Sequence, residues 1–160
     1  MTIQLGDRIP EAVLQYIEHG VHRIDTNTLF DGKKVVLFAV PGAFTPTCSE
    51  RHLPGFVANF DAFHSRGILV ACMAVNDPFV MQAWGNSQNV PDGLRMLSDG
   101  NAGFTRALGL EMDASGYGMG MRSKRFALYA ENGVVRGLWV EEPGEFRVSS
   151  AEHVLANLPG

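Results

Sequence analysis

The chain has 160 residues, of which 46% are hydrophobic and 19% charged, which predicts one globular domain over residues 1–160. A net charge of −4 argues against nucleic acid or an anionic membrane as the main partner. No apolar run approaches the about 20 residues of a bilayer-spanning helix, and no secretory signal is visible. With only two cysteines, a disulfide scaffold is not expected, and we expect a cytoplasmic location.

The predicted elements begin with a buried strand at Val35–Val40, a short apolar run that is rich in β-branched residues and ends at Pro-Gly. A helix is predicted from Pro46 to about Ser65, with an interruption or kink at Pro54-Gly55. The apolar run Ile68–Val75 predicts a second strand. A strand, a helix and a strand at this spacing form a βαβ unit, so the two strands should be parallel and central.

The second half of the chain carries capping and turn signals. Asp77 can cap a helix, and Asn132-Gly133 between two apolar runs is a strong hairpin signal. The elements predicted here are the helix Pro78–Gln88, the strand Leu94–Leu97, the helix Ala102–Leu108, a loop at Gly116–Gly120, the hairpin strands Arg125–Ala130 and Val134–Val140, and the helix Ser150–Leu158. A βαβ half followed by a ββα half predicts an α/β protein of the thioredoxin-like fold, with a central mixed β-sheet flanked by helices.

Cys48 carries the clearest chemical signal. It lies in the first turn of a predicted helix, where Thr45 fits the N-cap and Pro46 the first helical position. The free N–H groups and the dipole of a helix N-terminus favour a thiolate there. Thr45 stands where a Cys-x-x-Cys motif has its first cysteine, so the pattern predicts a lone reactive thiol. The Thr45 hydroxyl could hold a neighbouring oxygen or sulfur, or could serve only as the cap.

A thiolate is stabilised by a fixed cation, and the richest basic cluster is Arg122-Ser123-Lys124-Arg125. Arg125 enters a predicted hairpin strand, so it should be the better fixed of the two arginines. Its guanidinium could stabilise the thiolate and donate hydrogen bonds to a bound oxygen. The alternative from these residues alone is a solvated basic edge, because most charge runs lie on the surface.

Three separated blocks of the chain are informative together, namely Pro41–Phe56, Val75–Gly85 and Arg122–Phe126. Within the first block, the pattern Pro41-x-x-x-Thr45-x-x-Cys48 is similar to the active-site motif of the peroxiredoxins. All three blocks, in this order, resemble the type II, peroxiredoxin-5-like subgroup of that family. The resemblance covers nearly the whole chain.

The resemblance implies a thiol peroxidase that reduces hydrogen peroxide and alkyl hydroperoxides to water and alcohols, in antioxidant defence and cell redox homeostasis. Cys48 would be the peroxidatic cysteine, whose thiolate attacks the O–O bond and becomes a sulfenic acid. Thr45 would position the peroxide, Pro41 would shield the thiolate from water, and Arg125 would supply the cation. Hydrogen bonds to both peroxide oxygens would strengthen as the O–O bond stretches.

The same resemblance bears on the reductant. Some members of the subgroup resolve the sulfenic acid with a second cysteine late in the chain, but the corresponding stretch Phe146–Ser150 has serines. Cys72 lies within an apolar strand and is expected to be a small core residue. The resemblance therefore implies an external thiol, either glutathione with a glutaredoxin or thioredoxin, and it also implies a homodimer.

Other kinds of site leave weaker signals. His52, four residues after Cys48, could be the base of a cysteine hydrolase, but an exposed helix histidine is the expected reading. His19 and His22 lack a second ligand pair, and Gly116–Gly120 has no nucleotide-binding frame, so we expect neither a metal nor a cofactor. A peroxide sensor that passes the oxidation of Cys48 to a partner protein stays an alternative, because it needs the same activated thiolate.

Overall fold

The computed structural model describes residues 2–159, and the terminal residues Met1 and Gly160 of the predicted domain lie outside that range. The strands within it are β1 (Val13–Ile17), β2 (Val21–Asp25), β3 (Lys34–Ala39), β4 (Ile68–Ala74), β5 (Leu94–Ser98), β6 (Glu111–Asp113), β7 (Met121–Ser123), β8 (Phe126–Glu131) and β9 (Val134–Val140). The α-helices are α1 (Thr26–Phe30), α2 (Leu53–Ala58), α3 (Phe60–His64), α4 (Pro78–Ser87), α5 (Gly103–Leu108) and α6 (Ala151–Asn157). None of these helices is both long and apolar enough to cross a bilayer.

One mixed sheet of seven strands forms the centre of the fold, in the order β2-β1-β5-β4-β3-β8-β9. Strand β3 is parallel to β4 and antiparallel to β8, and β4 is parallel to β5. The predicted βαβ unit and the predicted thioredoxin-like α/β fold are therefore confirmed. Residues 35–39 of β3 are all buried, as expected of a central strand covered on both faces.

Local signals explain the elements that the sequence predicts well. The Asp77 carboxylate accepts the Val80 N–H at 2.9 Å and so caps α4 as expected. Asn132 and Gly133 have φ of +50° and +77°, as a two-residue turn between right-twisted strands requires. Asparagine and glycine adopt this left-handed backbone at low cost, which is why the pair is so informative.

Most of the elements that the sequence does not predict lie in the first third of the chain, and the short strands β6 and β7 are the others. Strands β1 and β2 and helix α1 were not predicted. Strand β2 lies at the sheet edge with all but one residue exposed, so it lacks the alternating apolar pattern that marks a strand. Strand β1 joins the sheet through antiparallel pairing with the distant β5, which no local window of sequence contains.

The helical segment after β3 breaks at a different place from the predicted kink at Pro54-Gly55. A π-helical turn occupies Cys48–His52, and the Leu53 N–H reaches back five residues to the Cys48 carbonyl. Pro54 then lies in the first turn of α2, where its missing N–H costs little. The break falls at Asn59, whose side-chain amide donates to the Gly55 carbonyl at 2.8 Å.

Apolar side chains pack on both faces of the sheet, and the face covered by α2, α3, α4 and α6 contains both cysteines. On that face the rings of Phe38 and Phe56 stack with centroids 4.0 Å apart, which holds α2 against β3. Cys48 and Cys72 belong to this same buried cluster. The packing thus brings the start of the helical segment against the middle of the sheet.

Candidate active site

The loop between β3 and the helical segment is held at its centre. The Ala43 N–H donates to the Asn76 side-chain oxygen at 2.9 Å, which ties the loop to the end of β4. Phe44 has a φ of +66°, an uncommon backbone conformation for a residue other than glycine. The chain then enters a helical turn at Pro46, and Cys48 follows with its side chain fully buried.

Thr45 uses its hydroxyl in a way the sequence does not predict. Its main-chain carbonyl accepts the Ser49 N–H at 2.9 Å, as the residue before a helix should. Its hydroxyl, however, donates to the Gly42 carbonyl at 2.7 Å, so the prediction of a side-chain cap is wrong. Because the hydroxyl proton is committed to Gly42, the oxygen keeps its lone pairs to accept a hydrogen bond from a ligand.

Arg125 reaches the thiol of Cys48. Its Nη2 donates to the Cys48 Sγ at 3.1 Å, so the alternative of a solvated basic edge is wrong for this residue. The sequence predicts that Arg125 lies inside the hairpin strand, but it lies one residue before β8. Its main-chain carbonyl accepts the Glu141 N–H at 3.0 Å, which fixes its backbone. Arg122, the other candidate, donates from its Nε to the Met119 carbonyl instead.

His52 is fully buried, so its interpretation as an exposed helix histidine is wrong. Its Nδ1 faces Arg125 Nη1 at 3.0 Å, and its Nε2 faces the Ser149 carbonyl at 3.0 Å. Since a carbonyl only accepts and a guanidinium only donates, the ring is neutral with its proton on Nε2. Burial and the charge of Arg125 lower the pKa of His52 to about 3. Both nitrogens are therefore engaged, and neither is free to act as a base toward Cys48.

Aromatic rings surround the imidazole of His52. The ring centroids of Phe38 and Phe146 each lie 5.0 Å from it, and that of Phe56 lies 5.7 Å away. The guanidinium of Arg51 lies over the ring of Phe146, 4.7 Å from its centroid. The guanidinium of Arg125 lies 5.9 Å from the centroid of the same ring, so Phe146 lies near both partners of the contact between His52 and Arg125.

Glu141 is a buried carboxylate that no sequence signal pointed to. It accepts the N–H groups of Arg147, Val148 and Ser149 at 2.8–2.9 Å and the Ser149 hydroxyl at 2.7 Å. Burial acts to raise the pKa of Glu141, but these hydrogen bonds outweigh it and hold the pKa below its usual value. In the sequence, Glu141-Glu142-Pro143 looks like an ordinary charged loop. The residues that donate to Glu141, Arg147 to Ser149, come later in the chain and meet it only in the folded structure.

Ser149 and Ser150, which lie where the resemblance implies a cysteine in some members of the subgroup, have structural contacts of their own. The Ser149 hydroxyl donates to Glu141, and the Ser150 hydroxyl accepts the His153 N–H at 3.1 Å, capping α6. Cys72 lies in β4 beside Phe38 of β3 and is fully buried, as its apolar context predicts. Burial raises the pKa of the Cys72 thiol well above its usual value, and the nearby Cys48 adds to this effect.

The remaining candidates are farther from these contacts. Pro41 is half-buried just beyond the end of β3, and its shielding role stays a prediction. The His22 ring stacks on Tyr16 and bonds the Glu18 carbonyl, which places it in the first hairpin of the fold. Across residues 2–159, no group of three or more His, Cys, Asp or Glu side chains is arranged to hold a metal ion.

Known proteins are similar to this chain over almost its whole length. A family model described as Redoxin matches residues 4–155. Peroxiredoxin-2E-2, chloroplastic, of Oryza sativa subsp. japonica is 49% identical over an alignment of 164 positions, which covers 98% of this chain and 73% of the relative. Peroxiredoxin-2D of Arabidopsis thaliana is 43% identical over 159 residues and is covered to 98%, as is this chain.

Solved protein structures are also similar to this chain. The crystal structure of reduced Prx3 in complex with hydrogen peroxide, from Vibrio vulnificus, superimposes with a TM-score of 0.93 at 51% sequence identity. The match covers 97% of this chain and 98% of the Vibrio vulnificus chain. The arrangement of strands and helices described above is thus shared with a protein crystallised with a peroxide.

Proposed function

The chain belongs to the redoxin family and, within it, to the type II peroxiredoxins, which makes it a thiol peroxidase, and we propose that Cys48 is its peroxidatic cysteine. In this proposal, glutathione with a glutaredoxin reduces the oxidised Cys48. The observation that supports Cys48 as the peroxidatic cysteine is the 3.1 Å contact between Arg125 Nη2 and the Cys48 Sγ. A guanidinium at this distance stabilises a thiolate that is otherwise buried among apolar side chains.

In the first step the Cys48 thiolate attacks one oxygen of the hydroperoxide. An S–O bond forms while the O–O bond breaks, and the departing oxygen leaves as hydroxide or alkoxide. This group takes up a proton to give water or an alcohol, and Cys48 is left as a sulfenic acid. The sulfur loses two electrons and the peroxide gains them, so no metal or cofactor is needed for the electron balance.

The surrounding residues support this step through hydrogen bonds. The Thr45 oxygen has lone pairs available to accept the peroxide O–H, because its own proton is directed to Gly42. Arg125 donates to the sulfur and can also donate to the oxygen that gains charge, so its interaction strengthens toward the transition state. Pro41, at the carboxyl end of β3, would limit the access of water to the thiolate.

The second step requires a thiol from outside the chain. Cys72 is buried within β4, and the late stretch where some relatives have a cysteine holds Ser149 and Ser150. In our proposal a glutathione thiolate attacks the sulfenic sulfur, forming a mixed disulfide as hydroxide leaves and is protonated to water. Glutaredoxin or a second glutathione then attacks that disulfide and releases the Cys48 thiolate. Overall, one peroxide and two thiols give water, an alcohol or a second water, and one disulfide.

We extend the proposal to assembly and location. A homodimer is supported by the large apolar side chains of Phe44 and Phe79, which are 55% and 64% exposed and belong to the Cys48 loop and to α4. A reducing compartment such as the cytosol suits a protein whose two cysteines are both free thiols. Sedimentation of the pure protein tests the homodimer, and localisation of the tagged chain tests the cytosolic location.

The test of the function is steady-state consumption of hydrogen peroxide by the pure protein. Glutathione with glutaredoxin is compared with thioredoxin and its reductase, and Cys48→Ser serves as the control. We expect turnover with glutathione and glutaredoxin that Cys48→Ser abolishes. Turnover with thioredoxin alone would overturn the choice of donor. Oxidation of Cys48 without turnover in either system would instead favour the peroxide sensor, and an unreactive Cys48 would overturn its assignment as the peroxidatic cysteine.

A further inference from the structure

We propose that Glu141 is a positioning residue for the reaction at Cys48, acting through the segment Arg147–Ser149 and through His52 on the guanidinium of Arg125. The proposal rests on the proposed role of Cys48 as the peroxidatic cysteine. Glu141 itself contacts neither the thiol nor the guanidinium, so its influence would pass through a chain of hydrogen bonds. Each step of that chain is visible in the structure.

The first step is the set of hydrogen bonds through which the Glu141 carboxylate holds the segment after β9. Glu141 is 6% exposed, and its Oε2 accepts four donors from Arg147, Val148 and Ser149, while Oε1 also accepts the Arg147 N–H. Hydrogen bonds to a charged acceptor are about twice as strong as neutral ones. They converge on three successive residues, so they determine the path of the main chain there rather than the position of one side chain.

The second step passes from the segment to His52. With residues 147–149 held, the Ser149 carbonyl points at His52 Nε2, 3.0 Å away. A carbonyl at this position keeps the ring proton on Nε2, which leaves a lone pair on Nδ1. If the carbonyl moved away, the proton could shift to Nδ1, and two donors would then face each other between His52 and Arg125.

The third step passes from His52 to the thiol. The Nδ1 lone pair accepts one guanidinium N–H of Arg125 at 3.0 Å, and another N–H of the same planar group reaches the Cys48 Sγ at 3.1 Å. A rigid guanidinium held at one end is also oriented at the other. The rings of Phe38 and Phe146, with centroids 5.0 Å from that of the imidazole, limit its movement, so the loss of the Ser149 carbonyl would change the tautomer of His52 rather than be relieved by a turn of the ring.

Glu141 also holds the other end of Arg125. Its main-chain N–H donates to the Arg125 carbonyl at 3.0 Å. The backbone of Arg125 is thus fixed directly by Glu141, and its guanidinium is fixed through Ser149 and His52. These contacts form a closed ring of hydrogen bonds around the residue that faces the thiol, which distinguishes Glu141 from a carboxylate that only stabilises a loop.

The test compares Glu141→Gln and Glu141→Ala in a single-turnover reaction with hydrogen peroxide. Gln can keep an acceptor where Oε2 lies but places an amide N–H₂ opposite the Arg147 N–H, whereas Ala removes every acceptor. We expect the rate constant of Cys48 oxidation to fall roughly tenfold in Glu141→Gln and roughly 100-fold in Glu141→Ala, the cost of displacing a reacting group by about 1 Å. Reduction of the sulfenic acid by glutathione should change by less than about twofold, because an external thiol does that step.

Asp99→Asn is the matched control. Asp99 is 4% exposed, and its carboxylate accepts the N–H groups of Phe104 and Thr105 and the Thr105 hydroxyl, much as Glu141 binds its own segment. Its hydrogen bonds do not lead to Cys48, His52 or Arg125. The control should lower the melting temperature about as much as Glu141→Gln while leaving the oxidation rate within about twofold of the wild type.

A second readout is the tautomer of His52, measured by nitrogen-15 NMR. We expect one neutral form with the proton on Nε2 in the wild type and in Asp99→Asn, and a mixture of forms in the Glu141 variants. Variants that lose stability yet keep both the oxidation rate and the single tautomer would overturn the proposal. If Glu141→Ala does not fold, Glu141→Gln decides. The wild type is measured first, so that an unreactive Cys48 would count against the proposed function and not against this link.

Discussion

The two cysteines of this chain lie in the same apolar cluster, both with no exposed surface, and yet their immediate surroundings differ. Cys48 begins a π-helical turn and receives a hydrogen bond from the guanidinium of Arg125. Cys72 lies in the middle of β4 between Phe38 of β3 and Met96 of β5, and burial raises the pKa of its thiol. Depth of burial therefore does not distinguish Cys72 from Cys48, the thiol that we propose to be reactive.

What separates them is a cation whose position is fixed. Burying a charge without a partner is costly, so a thiol in an apolar site stays protonated. Arg125 supplies the partner for Cys48, and a neutral His52 holds that partner in place. Three experiments test whether this cation accounts for the difference between the two cysteines.

The largest effect is expected for Arg125→Lys. Lysine keeps the charge but has no planar fork, so it cannot contact His52 and Cys48 together. We expect the rate constant for Cys48 oxidation by hydrogen peroxide to fall about 100-fold, the usual cost of losing an oriented donor. Arg95→Lys is the matched control, since that guanidinium stacks on Tyr16 and leaves Cys48 untouched. Equal rates for both variants would show that a charge without geometry is enough.

A smaller effect is expected from His52 on stability against pH. Its pKa falls from 6.5 to about 3 on folding, so between these values the unfolded chain binds a proton that the folded chain does not. Stability then decreases as the pH falls through this window, by about 1.4 kcal/mol per pH unit. From pH 7 to pH 5 we expect the wild type to lose roughly 2 kcal/mol more than His52→Gln in urea unfolding. Parallel losses in the two proteins would mean that folding leaves the pKa of His52 unchanged.

The smallest kinetic effect is expected for Cys72→Ser. Its hydroxyl would be buried among apolar side chains, which costs about 1–3 kcal/mol of stability when it finds no partner. Peroxide turnover with glutathione and glutaredoxin should nevertheless stay within about twofold of the wild type, because Cys72 takes no part in the proposed cycle. A loss of turnover in a variant that is still folded would instead give Cys72 a resolving role.

Local signals account for the parts of the fold that were predicted. The Asp77 cap, the Asn132-Gly133 turn and the apolar run of β3 each depend on residues a few positions apart, and each was confirmed. Strands β1 and β2 depend on pairing with each other and with a distant strand, and they were missed. The break in the helical segment was misplaced, because Pro54 lies in the first turn of α2, where its missing N–H costs little, and the interruption falls at Asn59.

The sequence by itself determined the candidate reactive position, Cys48, and its neighbours along the chain. A strand that ends at Pro41-Gly42, followed by Thr45 and Pro46, places Cys48 at the start of a helix wherever that helix packs. These are effects of backbone geometry and of hydrogen bonds within one or two turns. They are encoded in windows short enough to be recognised without a structure.

Only the tertiary structure decided which groups meet that cysteine. Arg125 is 77 positions from Cys48, and Ser149 is 97 positions from His52. Whether Arg122 or Arg125 faces the thiol, and whether His52 is exposed or buried, depends on how β8, β9 and the segment after them pack against the π-helical turn. The charge and polarity of those side chains were visible in the sequence, but their distances are set by the fold, and at contact range it is the distance that fixes the strength of a hydrogen bond.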